Sequence, residues 1–215
     1  TVAGDTRFDR VGRIADGARR LPAVEDFAAG GTVFVAGSTW PPDEEILVRL
    51  INVNPGMKFI VAPHEMDEKR IKEMAGAVRG GAVRYTEYGE ADDGGEKQLL
   101  IIDTIGILSS VYGYGSYAYI GGGFGVGIHN TLEAAAFGIP VAFGPNYAKF
   151  REARDLISLG AARSISSYEE LAVWLASLQS DRQAYGRSFA NTCRISGREI
   201  HKNSMTHVEG RGQGA

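Results

Sequence analysis

The sequence is poor in cysteine, and Cys193 is its one thiol. A single cysteine excludes a disulfide framework and a CxxC metal site within the chain, which is typical of proteins from a reducing compartment. No apolar run approaches the roughly 18 residues of a membrane-spanning helix. An excess of positive charge is also lacking: the net charge of −3 gives no reason to expect nucleic acid or an anionic membrane as a partner. With 44% hydrophobic and 23% charged residues, the composition is that of a soluble globular protein.

The chain also lacks an initiator methionine and the basic-then-apolar start of a secretory signal peptide. We interpret it as a fragment of a longer protein. Its 215 residues suffice for one domain with its own core, which we place at residues 1–190. Residues 191–215 end in a Gly-rich, polar stretch and are predicted to form a partly disordered tail.

Short apolar runs alternate with helical patterns along the predicted domain. The runs predict strands at residues 32–36, 58–62, 82–85, 98–102, 117–120, 139–143 and 161–165. Helical spacing or helix-start signals follow at residues 42–53, 67–78, 108–112, 130–137, 150–158 and 168–178. Continuous apolar strands that alternate with helices predict an α/β fold, a Rossmann-like parallel sheet with helices on both faces.

Small and polar side chains follow five of the predicted strands. In a parallel sheet, ligands bind outside the carboxyl ends of the strands, so five such loops at one edge indicate a ligand site there. The loops are residues 37–39, 63–65, 103–106, 121–127 and 144–146.

The glycine loop, residues 121–127, is the strongest of these signals. It follows a buried-strand pattern and leads into good helix formers, and a bare backbone before a helix start favours an anion. It fits neither G-x-G-x-x-G nor the P-loop. His129, Asn130 and Glu133 at the helix start favour a phosphate and a polyhydroxylated group side by side, as in a nucleotide-sugar. Alternatively, Asn130-x-x-Glu133 has the spacing of a capping box.

For two other patterns we prefer a structural interpretation over a ligand-binding one. Glu90, Asp92, Asp93 and Glu96 could suggest a metal site, but their irregular spacing in a Gly-rich stretch favours a solvated acidic loop. The aromatic residues between 112 and 117 could stack on bases, but their place beside a strand favours the core. No metal site is therefore predicted.

The segment H-N-x-L-E-A-A at residues 129–135 and the segment G-x-P-V-x-F-G-P at residues 138–145 resemble one known family. They are similar to the donor-binding half of the 3-deoxy-D-manno-octulosonic acid (Kdo) transferases of lipopolysaccharide biosynthesis. Shorter segments at residues 4–9, 37–45 and 149–153 also resemble that half. Ile128 interrupts the family's usual Gly-Gly-His-Asn.

The resemblance implies the C-terminal half of a GT-B glycosyltransferase, in which two Rossmann-like lobes face a cleft. It implies transfer of Kdo from CMP-Kdo to a lipid A precursor, with inversion at the anomeric carbon and without a metal ion or a cofactor. The acceptor site, the catalytic base and the association with the cytoplasmic face of the inner membrane are expected in an N-terminal lobe that these residues do not contain. No catalytic residue is therefore predicted here, and the fragment alone is expected to be soluble and inactive.

The resemblance and the chemistry of a cytidylate leaving group together predict the donor-binding residues. Without a metal ion, backbone N–H groups and hydroxyls must stabilise the charge that builds on the phosphate. Glu133 is expected to accept hydrogen bonds from the ribose diol, and Ile105 and Gly106 to present backbone to the cytosine. The full predicted set is Ser38, Thr39, His64, Ile105, Gly106, Gly122, Gly123, Phe124, Gly127, His129, Asn130 and Glu133.

Alternatives stay open at this point. For His64 the alternative is a plain surface histidine, and for His129 a structural, hydrogen-bonded one. For the whole chain, the alternatives are the C-terminal lobe of another GT-B enzyme, such as a UDP-sugar transferase or a nucleotide-sugar epimerase, and a non-catalytic nucleotide-binding module.

Overall fold

The computed structural model of the protein describes residues 15–89 and 97–185. Its strands are β1 (Val33–Thr39), β2 (Lys58–Pro63), β3 (Ala82–Arg84), β4 (Leu99–Ile101), β5 (Tyr117–Ile120), β6 (Val141–Phe143) and β7 (Ala162–Ser164). Every pairing between them is parallel, and they form one sheet in the order β3-β4-β2-β1-β5-β6-β7. The predicted parallel sheet is therefore confirmed, with all seven predicted strands present.

Helices connect the strands. They are α1 (Pro22–Ala28), α2 (Pro41–Val53), α3 (Glu68–Ala77), α4 (Leu108–Val111), α5 (Leu132–Ala135), α6 (Arg151–Ser158) and α7 (Tyr168–Tyr185), with 3-10 turns at Tyr85–Glu87 and Tyr112–Tyr114. The sequence pattern did not predict α1, although a proline at its first position and two glycines after it are helix boundary signals. Within the described residues, no helix combines the length and the apolar character that crossing a bilayer requires.

Helix α5 is much shorter than the predicted helix of residues 130–137. After one turn its hydrogen bonds tighten: Phe137 N–H donates to Ala134 O at 3.1 Å and Gly138 N–H to Ala135 O at 3.0 Å. Gly138 then adopts a φ of 66°, the left-handed conformation that ends helices. Good helix formers could not extend the helix past this stop.

The core lies on both faces of the sheet. Along β1, Val33 and Val35 pack into one apolar cluster, and Phe34 and Ala36 pack into the other. This alternation follows from the two-residue period of a strand, and burial on both faces explains why the strand reads as a continuous apolar run.

The aromatic stretch between residues 112 and 117, which leads into β5, belongs to this core. Tyr112 and Tyr117 are buried and Tyr114 is partly buried against the core, in agreement with the core interpretation rather than a platform for bases. Cys193, the predicted tail at residues 191–215 and the acidic residues at 90, 92, 93 and 96 lie outside the described residues.

Candidate functional site

The glycine loop lies at the point where the strand order divides. From β1 the chain builds β2, β4 and β3 on one side of the sheet, and β5, β6 and β7 on the other. In open parallel sheets the crevice at such a switch point, outside the carboxyl ends of the strands, is where ligands bind. The glycine loop leaves β5 directly beside β1, and therefore occupies this crevice.

The backbone of the glycine loop packs directly onto both neighbouring loops. A Cβ atom on Gly121 would collide with the Ser38 carbonyl and lie 2.6 Å from the Cα atom of Thr39. A Cβ atom on Gly123 would lie 2.6 Å from the Cα atom of Gly144, in the loop after β6. Only glycine permits these approaches, so the three loops form one continuous surface.

The loop after β1 departs from regular strand geometry at Ser38. Its φ is 54°, and the register with β2 shifts between Gly37 and Thr39. This conformation is strained for a residue with a side chain, and such strain is concentrated at functional sites. The Thr39 hydroxyl, which we expected to face the donor, is fully buried and donates to Glu44 Oε1 at 3.1 Å. In this structure Thr39 anchors the loop to α2, and its contact with the donor stays a prediction.

Asp43, in the first turn of α2, is a buried carboxylate that joins three elements. The residue is only 1% exposed to solvent. Oδ1 accepts from the Tyr119 hydroxyl on β5 at 2.6 Å, and Oδ2 accepts from the N–H groups of Trp40 and Gly122 at 2.9 Å each. Three donors thus compensate the burial of the charge. Asp43 fixes the start of the glycine loop against α2 and β5.

These bonds decide which amides of the glycine loop are available. The Gly122 N–H, expected to face a phosphate, donates to Asp43, and the Gly127 N–H donates to Gly122 O at 3.0 Å. Both amides thus already have acceptors in this structure, and their contact with a phosphate stays a prediction. The N–H groups of Gly123 and Phe124 donate to no acceptor among the described residues. Gly123 is buried, and an unpaired buried amide is rare in proteins.

The loop after β6 braces the outer part of the glycine loop. Lys149 Nζ donates to Val126 O at 2.9 Å, and Asn146 Nδ2 donates to Gly125 O at 2.7 Å. Gly127 has a φ of 126°, and a Cβ atom there would lie 2.9 Å from Lys149 Cε. A cationic side chain therefore lies against the loop whose backbone we expect to hold an anion.

Three rings pack against one another beside the glycine loop, Trp40 stacked on His64 and His64 tilted against His129. The His64 ring lies 4.6 Å from the Trp40 ring and 4.4 Å from the His129 ring, measured between centroids. Trp40 Nε1–H donates to His129 Nε2 at 3.2 Å, so this nitrogen carries the lone pair and Nδ1 carries the hydrogen. Burial and, second, the neighbouring His64 lower the pKa of His129, while Asp43 opposes the shift. The structure therefore brings His64 and His129 together and favours a neutral His129.

Asn130 and Glu133 contact each other at the start of α5. Asn130 Oδ1 accepts from Leu132 N–H at 3.1 Å, a bond to the residue two positions on that satisfies one free donor of the helix start, but it is not the bond to Glu133 N–H that a capping box requires. Glu133 does not complete a capping box: its Oε1 accepts from Asn130 Nδ2 at 3.0 Å. Burial and, second, the charge of Glu133 raise the pKa of the Tyr112 hydroxyl, which lies against Gly37. The ribose role of Glu133 stays a prediction.

Ile105 and Gly106 lie apart from these residues. They follow β4, which β2 and β1 separate from β5. Ile105 is 85% exposed, and Gly106 O accepts from Arg19 Nη2 at 2.8 Å. No described contact joins them to the glycine loop, and their role toward the cytosine stays a prediction. Within residues 15–89 and 97–185, no three His, Cys, Asp or Glu side chains are arranged to hold a metal ion.

Three residues of the site were not predicted from the sequence: Trp40, Asp43 and Lys149. Asp43 looked like an ordinary acidic residue at a helix start, because the sequence does not show that the helix start is buried. Trp40 directly precedes the two prolines of α2 and is placed against His129 by the tertiary fold alone. Lys149 lay within a segment that resembles the family, and its charge was a signal that went unused.

Known proteins resemble this chain in sequence and in fold, although no family model matches it. A 3-deoxy-D-manno-octulosonic acid transferase of Aquifex aeolicus (strain VF5) is 29% identical over 156 residues, which cover 70% of this chain and 42% of the relative. The enzyme of the same name from Rickettsia bellii (strain RML369-C) is 32% identical over 145 residues, 65% of this chain and 34% of the relative. The crystal structure of the C-terminal CMP-Kdo binding domain of WaaA from Acinetobacter baumannii has a TM-score of 0.65 at 18% identity, covering 89% of this chain and 97% of that domain.

These likenesses confirm the resemblance to the Kdo transferase family. They also confirm the predicted fold class, a Rossmann-like C-terminal half of a GT-B glycosyltransferase. The chain spans about two fifths of the length of the Aquifex relative and about a third of the Rickettsia one.

Proposed function

We propose that this chain is the donor-binding half of a Kdo transferase and holds CMP-Kdo at the switch point of its sheet. The enzyme that contains it would transfer Kdo to a lipid A precursor, with inversion at the anomeric carbon and without a metal ion. The sequence relatives named Kdo transferases and the likeness to a CMP-Kdo binding domain support this proposal.

One observation carries the proposal: among the described residues, the amides of Gly123 and Phe124 have no acceptor, whereas four other amides of the glycine loop donate within the fold, those of Gly121, Gly122, Gly125 and Gly127. A cytidylate leaving group gains negative charge as its bond to Kdo breaks. Fixed N–H groups near that charge stabilise the transition state, since they need no reorganisation during the reaction. Asp43 and Gly144 hold the loop that presents these amides.

The side chains around the loop take complementary roles in the proposal. The Ser38 hydroxyl and the Nδ1–H of a neutral His129 donate to the phosphate or to the Kdo carboxylate, and Lys149 lowers the local potential energy of both anions. Glu133 accepts from the ribose diol through the carboxylate oxygen that Asn130 does not use. His64 shapes the wall of the site through its stack with Trp40 and His129.

The second lobe of the GT-B architecture completes the proposed enzyme. We assign the acceptor site, the catalytic base and the association with the inner membrane to that lobe, as the family resemblance implies. Residues 1–190 form the donor-binding domain in this proposal, and the fragment alone binds donor without turning it over.

Calorimetric titration of the chain with CMP in the presence of EDTA tests the proposal. We expect measurable binding of CMP and weaker binding of UDP. Gly123→Ala abolishes CMP binding, because its Cβ atom would lie 2.6 Å from backbone atoms of Gly144. Gly125→Ala is the matched control and keeps binding, because its Cβ atom would meet only Gly122 O at 3.9 Å.

Two results would overturn the proposal. Tight binding of UDP with none of CMP would reassign the chain to a UDP-sugar enzyme of the same architecture. Equal affinity of the Gly123→Ala and Gly125→Ala variants for CMP would remove the glycine loop from the donor site.

A further inference from the structure

His64 is the middle ring of the three that pack beside the glycine loop. Its centroid lies 4.6 Å from that of Trp40, with 22° between the ring planes, and 4.4 Å from that of His129, with 31° between the planes. Its backbone N–H donates to Thr39 O at 2.9 Å, which anchors this main chain to the loop after β1. The residue is exposed, and no hydrogen bond within residues 15–89 and 97–185 uses its imidazole. The ring nitrogens of His64 are therefore open to a proton from solvent.

His129, in contrast, is held in its neutral form by Trp40. The Trp40 Nε1–H group donates to His129 Nε2 at 3.2 Å. A proton on this nitrogen would set two N–H groups against each other and leave both without an acceptor, at the cost of a broken hydrogen bond. Burial and, second, the neighbouring His64 lower the pKa of His129. A positive charge is therefore disfavoured on this ring.

The position of His64 suits a positive charge better. A cation over the face of a tryptophan ring, within about 6 Å of its centroid, is attracted by the electrons of that face. The stacked geometry places the His64 ring over Trp40 in this way, with the neutral His129 ring on its other side. Because His64 is exposed, its charged form also keeps contact with water. One proton on the pair of imidazoles therefore belongs on His64.

The charged groups of α2 and α3 leave room for that proton. Asp43 favours a charge on His129, but its carboxylate already accepts three hydrogen bonds. Glu65 follows His64 in the chain, and its Oε2 atom lies 3.7 Å from Arg70 Nη1, so the arginine offsets its charge. Neither carboxylate is a free counter-ion for an imidazolium.

Two further charged groups lie on the elements that follow the glycine loop. Lys149, in the loop after β6, donates to Val126 O at 2.9 Å. Glu133, on α5, accepts from Asn130 Nδ2 at 3.0 Å. Their charges have opposite signs, so together they add no net charge beside the imidazoles. A bound anion would be the counter-ion that the described groups do not supply.

The glycine loop brings such an anion close to the rings. A Cβ atom on Gly122 would lie 3.2 Å from His129 Cδ2, so the His129 ring lies against the start of the loop. The next two amides, those of Gly123 and Phe124, have no acceptor among the described residues. An anion held by these amides lies one ring away from His64, and a nearby negative charge favours the protonated form of an imidazole.

We propose that binding of the anionic donor is coupled to the uptake of one proton by His64. The proton comes from solvent and bonds to the lone pair of the free imidazole nitrogen, and no other bond forms or breaks. This inference rests on the proposed function and adds a regulation to the same site. Since the ligand favours the protonated form, the affinity for the donor rises as the pH falls through the range in which histidines take up their charge.

Calorimetric titration with the 5′-methyl ester of CMP tests the proposal. The phosphodiester of this ligand keeps one negative charge near neutral pH, so the ligand itself takes up no proton. Titrations at about pH 7 in two buffers of different ionisation enthalpy, PIPES and Tris, give the number of protons bound with each ligand. We expect an uptake of about 0.2–1 proton, and an affinity that increases about three- to tenfold between about pH 8 and about pH 6.

Variants and NMR assign the proton to one histidine. His64→Gln should abolish both the proton uptake and the pH dependence, whatever its absolute affinity. The control is the double variant His201→Gln/His207→Gln, which removes the other two of the four histidines and should take up protons as the unchanged chain does. In an NMR titration of the ring protons, the saturating ligand should raise the pKa of His64 and leave His129 neutral down to a lower pH than His64.

Three outcomes would overturn the coupling alone: binding of the ester without a difference between the buffers, proton uptake that persists in His64→Gln, and an NMR titration that places the proton on His129. The absence of any binding of the ester, together with the absence of binding of CMP, would overturn the proposed function and the coupling with it. The two failures are therefore distinguishable.

Discussion

Replacing Asp43 by asparagine tests whether this carboxylate organises the candidate site. The carboxylate accepts three hydrogen bonds, from Tyr119, Trp40 and Gly122, in a residue that is 1% exposed. The asparagine oxygen can replace one oxygen of the carboxylate, but its NH₂ group then faces at least one donor. One buried donor loses its acceptor and the bonds that survive lose their charge.

The magnitude follows from these counts. An unsatisfied buried donor costs about 1–3 kcal/mol, and weakening of charge-assisted bonds adds a fraction of that. We therefore expect Asp43→Asn to lower the free energy of unfolding by about 2–3 kcal/mol. Such a loss is large against the roughly 5–15 kcal/mol of a typical domain. Asp43→Ala, which orphans all three donors, should cost at least about 3 kcal/mol, since each buried donor without an acceptor costs about 1–3 kcal/mol.

Urea denaturation followed by circular dichroism measures these losses. Glu45→Gln is the matched control, because it removes a carboxylate from the same helix at an exposed position. Faster hydrogen exchange at the Gly122 amide is the local readout, since this N–H loses its charged acceptor. The reasoning is refuted if Asp43→Asn and Glu45→Gln differ by less than about 0.5 kcal/mol, the effect of an ordinary surface change.

Three further predictions concern the side chains beside the loop. The folded state disfavours protonated His129, so the unfolded chain binds more protons below the ordinary histidine pKa of 6.5. The free energy of unfolding should therefore fall as the pH drops from about 7.5 to about 5. Urea denaturation should show a smaller fall in His129→Gln, and an equal fall would contradict the lowered pKa. Trp40→Phe removes the donor to His129 Nε2, so an NMR titration should show the pKa of His129 rising toward 6.5, and an unchanged pKa would refute the tautomer. Glu133→Gln should weaken CMP binding about tenfold in calorimetry, because an uncharged oxygen accepts from the ribose less strongly. The control ligand 2′-deoxy-CMP should bind the unchanged chain and the variant with the same affinity. If Glu133→Gln weakens binding of 2′-deoxy-CMP as much as binding of CMP, the ribose contact is excluded.

The strands were predictable because the apolar pattern that marks each of them lies within a short stretch of sequence. Each of the seven is a short apolar run bounded by turn residues, and burial on both faces of a parallel sheet demands such a run. The ends of the helices were less predictable. Whether α5 continues past Ala135 depends on Gly138 and on packing, which a run of good helix formers does not reveal.

The position of the candidate site was predictable from the sequence, but the hydrogen bonds and ring contacts inside it were not. Loops after parallel strands must converge on one edge, so the glycine loop and His129 could be placed there from the order of elements alone. The acceptor of the Gly122 amide could not be predicted, because Asp43 approaches it across 79 positions of the sequence. The stack of His64 with Trp40 likewise needs two strands in register before the rings meet.

The close packing at Gly121 and Gly123 limits how this protein can diversify. Any side chain at either position would collide with the main chain of a neighbouring loop, so neither position should tolerate a residue other than glycine. Substitutions that leave this backbone packing intact are possible around the rim, at exposed positions such as His64. The floor of the crevice should therefore tolerate substitution far less than its border does.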